Sequence, residues 1–130
     1  MILIADRLWG ILTVWAEARG EPFEGQVGVS EVIQRRTAQH FMSAGTVAST
    51  VLWPMQFSCW NTSDPNRKRF GDLDDEDPMV RSVVSAWDKA EQGLSFAPAA
   101  FHYYNPSTVA PSWAKGMLVV ANIGRHRFLR

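Results

Sequence analysis

The sequence predicts an α+β domain, mainly helical, with a short antiparallel sheet near the C-terminus. Three observations carry that expectation. Apolar residues recur at spacings of three and four through the first forty positions and again after Asp77, β-branched and aromatic residues concentrate after Ala99, and no linker-like or repeated segment divides the two regions. A chain of 130 residues has room for one hydrophobic core, so one domain spanning 1–130 is expected.

The first helix is expected over Leu3 to Ala18, where Ile4, Leu8, Ile11, Leu12 and Trp15 form an apolar stripe that reads as the buried face. Stepping back from Glu17 reaches Thr13, Gly10 and Asp6, a small and polar stripe on the opposite side. Gly20 suits a left-handed residue after a helix, and Pro22 disfavours helical geometry at Glu21, which puts Glu17 in the last turn beside a bend. A second helix is expected from Glu24 to about Ala38, burying Val29, Val32 and Ile33, with Gly25 and Gly28 permitting close approach and Arg35-Arg36 at its negative end. A short helical segment is expected around Val47 to Leu52.

Trp53 to Asp77 carries Pro54, Pro65, Gly71 and many polar residues, and reads as a long structured loop. Asp77-Pro78 has the form of an N-cap followed by proline at the first helical position, and the helix it opens buries Val80, Val83, Val84 and Trp87 before stopping at Gly93. Ala99 to Tyr104 and Met117 to Phe128 then read as short antiparallel strands, interrupted by Asn105-Pro106 and Asn122-Ile123-Gly124.

Composition narrows the function. Thirteen Lys and Arg balance thirteen Asp and Glu, so no basic excess exists to hold a nucleic acid by counterion release. No run approaches the roughly 20 apolar residues that span a bilayer. Arg7, the uncharged run Leu8 to Ala16 and Ala16-Glu17-Ala18 mimic a signal peptide, but Asp6 sits inside the positive region and the apolar run is short. Cys59, the single cysteine, cannot form an internal disulfide. Six Trp, seven Phe and two Tyr exceed what so small a core needs, and part of that load is expected to line a ligand cleft.

Three kinds of reactive centre are available. Acid catalysis at a glycosidic bond needs a carboxyl held protonated near neutral pH by desolvation beside aromatic surface. Glu17, Glu21 and Glu24 are candidates, and Glu17 stands out because a helix end opening onto a turn can border a cleft on a rigid backbone. Glu21 and Glu24 also suit the favourable amino end of the next helix. Metal or thiol chemistry could use Cys59, His40, His102 and His126, although their spacing matches no compact metal motif. The acidic run Asp72 to Asp77 lacks the alternating ligands and central glycine of a calcium loop, and Arg67-Lys68-Arg69 beside it makes a solvated, internally neutralised loop.

Glu17-Ala18-Arg19-Gly20-Glu21-Pro22, followed by Glu24-Gly25-Gln26-Val27, resembles the opening signature of the SleB/CwlJ-type cell wall hydrolases, a family of spore-cortex-lytic enzymes and related phage endolysins. Three further blocks follow in the family's order: Gln56 to Asn61, His102 to Pro106 with Pro111 to Ala114, and Ile123 to Phe128. The resemblance implies a small lysozyme-like fold and cleavage of the peptidoglycan glycan strand, with Glu17 as the catalytic acid. It also implies cleft walls drawn from Gln56, Phe57, Ser58, Trp60, His102, Tyr104 and Trp113, with Glu21 and Glu24 nearby. Three departures bear on these walls: Arg35-Arg36 stands where Asn-Arg is common, Phe101 where threonine is usual, and Arg125 and Arg127 flank His126 in place of the commoner Asn and Val.

The reaction so implied is that of a lytic transglycosylase acting between N-acetylmuramic acid and N-acetylglucosamine, as a monomer and without a cofactor or metal. A hydrolytic muramidase would need water held by a second group such as Glu21 or Glu24, and an amidase would need zinc on His and Cys. A module that grips glycan without cutting is the non-enzymatic alternative. The chain's brevity and lack of a convincing signal suit a phage-type enzyme made in the cytoplasm and acting at the wall or periplasm.

Overall fold

The computed structural model describes residues 2–130. Five α-helices run Ile4–Ala18 (α1), Phe23–Gln39 (α2), Val47–Val51 (α3), Pro65–Arg69 (α4) and Pro78–Glu91 (α5), followed by three short strands, His102–Tyr104 (β1), Val119–Ile123 (β2) and His126–Leu129 (β3). The strands form one antiparallel sheet with β3 central, in the order β1-β3-β2, pairing Tyr103 with Phe128 and Ile123 with His126. Trp53 to Asp77 is less irregular than its composition suggests, because Ser58–Trp60 and Phe70–Asp72 form 3₁₀ turns on either side of α4. Asp77 caps α5 as expected, its carboxylate accepting the Met79 and Val80 amides at 2.8 and 3.2 Å.

The core lies where α1, α2 and α5 meet the sheet, around Val14, Val29, Val32, Ile33, Val83, Trp87 and Phe128. Polar side chains fasten the helices to one another. Gln26 donates to the carbonyls of Ala18 and Arg19 at 3.2 and 3.3 Å, closing the bend between α1 and α2, while its own carbonyl oxygen accepts from Ser82 on α5 at 2.6 Å. The bend differs in detail from expectation. Gly20 is not left-handed; the last turn of α1 continues through Arg19 in right-handed geometry, and Gly20 instead faces the Arg125 guanidinium.

Of the expected apolar face of α1, Trp15 is buried as read from the sequence, but the rest of the stripe turns outward. Ile4 and Leu8 are 81% and 57% exposed, and Ile11 and Leu12 are only half-buried, whereas Gly10, Thr13, Val14, Trp15 and Ala18 are buried. The polar stripe turns inward because each member has a partner there. Asp6 accepts the Val47 and Ala48 amides at 2.7 and 3.0 Å, satisfying the first turn of α3. Gly10 leaves room for the Trp87 ring, and Thr13 accepts the Trp60 indole N–H at 2.9 Å. Glu17, next on this stripe, is thereby directed into the protein. On α5, Val83 and Trp87 are buried as expected, while Val80 and Val84 lie at the edge of the core.

Candidate active site

Glu17 lies on the floor of a cleft of about 820 Å³, large enough for a small ligand, between the helical core and the sheet. One wall comes from Arg36, Phe41 and Met42 at the end of α2, together with Gln56, Phe57 and Ser58. The other comes from β1 and the segment after it, with His102, Tyr104, Asn105, Val109 and Trp113. His102 and Tyr104 project on one side of β1, and their rings lie 5.2 and 5.7 Å from Trp113. Tyr103 projects on the other side, against His126 and Phe128 at 5.0 and 5.8 Å.

Burial decides the chemistry of Glu17. Desolvation pushes its pKa up to about 7, the neighbouring Tyr103 phenol holds it below where burial alone would put it, and the Asp64 charge adds a smaller upward push. The carboxyl is thus poised between acid and base at neutral pH. Tyr103→Phe is expected to raise this pKa further. If Glu17 limits the rate, the alkaline limb of kcat/KM then moves to higher pH, and an unmoved limb in a pH-rate profile would reject the assignment.

The neighbouring groups are less versatile. Burial, with the charges of Glu17 and Asp64, pushes the Cys59 thiol up to about 12, which leaves it a protonated, inert member of the core. Burial lowers the pKa of His102, with the Arg36 charge adding to the effect, and burial likewise lowers that of His126. Both rings are therefore neutral at neutral pH. Among the described residues no three His, Cys, Asp or Glu side chains converge as a metal-ligand set.

Seven of the ten residues singled out from sequence meet in this cleft: Glu17, Gln56, Phe57, Ser58, His102, Tyr104 and Trp113. The other three lie elsewhere. Glu21 is buried against the β2-β3 hairpin tip, accepting the Arg125 amide and the Arg125 Nε, each at 2.7 Å. Glu24 is exposed in the first turn of α2. Trp60 packs on Trp9 and Phe70, with ring centroids 4.9 and 4.7 Å apart, behind the cleft wall.

The departure at Arg35-Arg36 falls on the residue that faces away from the cleft. Arg35, at the unusual position, turns away to the carbonyls of Ala97 and Ala100, while Arg36 reaches the cleft. Sequence reasoning missed Arg36 and Tyr103 as cleft residues. Tyr103 stood inside the His102 to Pro106 block, and alternation along β1 gave no sign that it lines the cleft together with its two neighbours.

The sequence matches the cell wall hydrolase family over residues 20–129. The chain belongs to this family. Glu17 lies just ahead of the matched segment. The spore cortex-lytic enzyme of Bacillus subtilis (strain 168) is 29% identical over 119 residues, covering 88% of this chain and 34% of that protein. The spore cortex-lytic enzyme of Oceanobacillus iheyensis is 29% identical over 121 residues, covering 90% and 38% respectively. This cell wall hydrolase family member therefore spans little more than a third of the length of those relatives.

Among solved structures, the catalytic domain of the Bacillus cereus SleB protein superposes with a TM-score of 0.76 at 25% identity, covering all of this chain and 93% of that one. The catalytic domain of the germination-specific lytic transglycosylase SleB from Bacillus anthracis gives a TM-score of 0.71 at 24% identity, covering 98% of this chain and 96% of that one. The family member has the small lysozyme-like α+β fold that its motifs imply.

Proposed function

We propose that this chain cleaves peptidoglycan glycan strands as a lytic transglycosylase, with Glu17 as both acid and base. The observation that carries the reading is a single desolvated carboxyl, its pKa pushed up to about 7, on the floor of a cleft walled by aromatic and hydrogen-bonding side chains. Protonated Glu17 gives its proton to the glycosidic oxygen as the bond from muramic C1 breaks. The muramic C6 hydroxyl then closes on C1, and its proton passes to the Glu17 carboxylate. The products are a free 4-hydroxyl on N-acetylglucosamine and a 1,6-anhydromuramyl end, and Glu17 is restored to its starting state.

A hydrolytic muramidase would use a second carboxylate to hold or activate water. Glu17 is the one carboxylate lining this cleft among the described residues, since Glu21 is committed to Arg125 and Glu24 faces solvent. That favours the single-carboxyl route. Gln56, Ser58 and His102 are assigned to hydrogen bonds with sugar substituents, and Tyr104 and Trp113 to the apolar faces of the rings, while Phe57 is buried in the wall behind them. The Bacillus anthracis SleB domain, described as a lytic transglycosylase, supports the same reaction. Mass spectrometry of peptidoglycan digested by the protein is expected to find anhydromuramyl ends; reducing muramic acid ends in their place would reject the transglycosylase.

A further inference from the structure

Besides Glu17, three charged residues are buried among the described residues, namely Glu21, Glu31 and Arg36. Two of them have an ionic partner: Glu21 pairs with Arg125 at 2.7 Å and Glu31 with Arg35 at 3.6 Å. Arg36, 5% exposed, pairs with no carboxylate among the described residues. Its Nε donates to the Phe101 carbonyl at 2.8 Å, one terminal nitrogen donates to Gln56 Oε1 at 3.1 Å, and the other meets His102 Nδ1 at 3.5 Å. All three partners are neutral. The rings of Phe41 and Phe57 lie 5.8 and 5.7 Å from the guanidinium carbon and add apolar surface around it.

A guanidinium carries five N–H donors, so two remain free on a group that lines the cleft. Burying a charge without a counter-ion is costly, and removing the water around it makes any arriving anion bind more strongly. Glu17 shares the cleft but forms no ion pair with Arg36. We infer that Arg36 is the centre of a carboxylate-binding subsite, in which its two free donors engage a carboxylate of the substrate and set which strands are cleaved. The inference rests on the glycan-cleaving reading. The carboxylate has two possible sources on such a strand: the lactyl group of a muramic acid without a peptide, or the peptide stem.

The test uses four strands: with stems, with stems enzymatically removed to free the lactyl carboxylates, and each of these after carboxyl groups are converted to amides with carbodiimide and ammonia. A charge-assisted hydrogen bond supports a preference of about tenfold in kcat/KM for a carboxylate strand over its amidated counterpart. Preference confined to the stripped pair assigns the subsite to the lactyl group, and preference confined to the stem-bearing pair assigns it to the stem. Arg36→Gln is expected to collapse the ratio toward one.

Calorimetric binding of the same strands to Glu17→Gln gives the ratio independently of turnover and without altering Arg36. Equal affinity and equal kcat/KM for every strand of the wild type overturn the carboxylate subsite alone. Failure to release fragments from any strand rejects the cleavage reading, and the binding ratio still decides the subsite.

Discussion

Glu17→Gln is expected to lower fragment release from purified walls by about 10²–10⁴-fold, the usual contribution of a general acid-base group. The same change is expected to stabilise the fold at pH 8. In the folded protein the Glu17 pKa is raised from 4.5 to about 7, so the folded state holds the proton more tightly than the unfolded chain. Its favourable contribution is complete below about pH 4.5 and is lost as pH rises through 7. Above that, the folded protein carries a desolvated carboxylate.

The shift corresponds to about 3 kcal/mol at most. Glutamine must also be buried, so a gain of about 1–3 kcal/mol at pH 8 and almost none at pH 4.5 is expected. Thermal melts at the two pH values, beside release assays, test both halves. Activity retained in the variant would remove Glu17 from the reaction, and a lower melting temperature at pH 8 would make it a structural residue.

Gly10→Ala is expected to cost about 3 kcal/mol, at the upper end of ordinary overpacking. A Cβ at position 10 would fall inside the van der Waals envelope of the Trp87 six-membered ring. That ring has little freedom to move, because it is fully buried and its indole N–H donates to Glu91 at 2.6 Å. Glu91 is itself held by Arg7 of α1 at 2.8 Å, so the helix carrying the new methyl also helps lock the ring against it. Urea titration should show a lower midpoint with an unchanged slope. The double variant Gly10→Ala with Trp87→Leu should lose less than the sum of the single losses, and strict additivity would show that the ring is not the obstacle.

Much of the fold was legible because local rules and tertiary packing agreed. Asp77-Pro78 opens α5 through a cap that needs only neighbouring residues. Val29, Val32 and Ile33 bury because their helix is enclosed by α1, α5 and the sheet. The first helix failed where those levels parted. Hydrophobic periodicity identifies the side of a helix that avoids water, but it is blind to polar groups whose partners lie far along the chain. Asp6 finds amides at positions 47 and 48, and Thr13 finds an indole at position 60, so a stripe that resembles a surface becomes an interior seam.

The site shows the same division. Motif blocks gathered Gln56 to Ser58 and His102 to Trp113 onto facing walls, since each block contributes a short segment that the fold brings to the cleft. They could not separate residues facing the opening from those supporting it. Trp60 lies within one block yet its indole is consumed by Thr13, and Glu21 lies within another yet fastens the hairpin tip. Arg36 and Tyr103 required the reverse correction. A charged residue near a helix end and an aromatic residue in a strand are ordinary in sequence, and only their convergence on one space gives them a role.

The floor of the cleft and one stretch of its wall are built to different tolerances. Glu17 stands on a helix fastened along its length through Asp6, Thr13 and the Gln26 clamp, whereas the backbone hydrogen bonds made by residues 105–117 run within that segment, from Thr108 and Val109 to Asn105 and from Met117 to Ala114. This segment nevertheless supplies Asn105, Thr108, Val109, Trp113 and Met117 to the cleft. Glu17 and this stretch of wall thus belong to physically separable parts of the fold. Exchange of the 105–117 segment between relatives is expected to alter strand preference while Glu17 keeps its place in the helical frame.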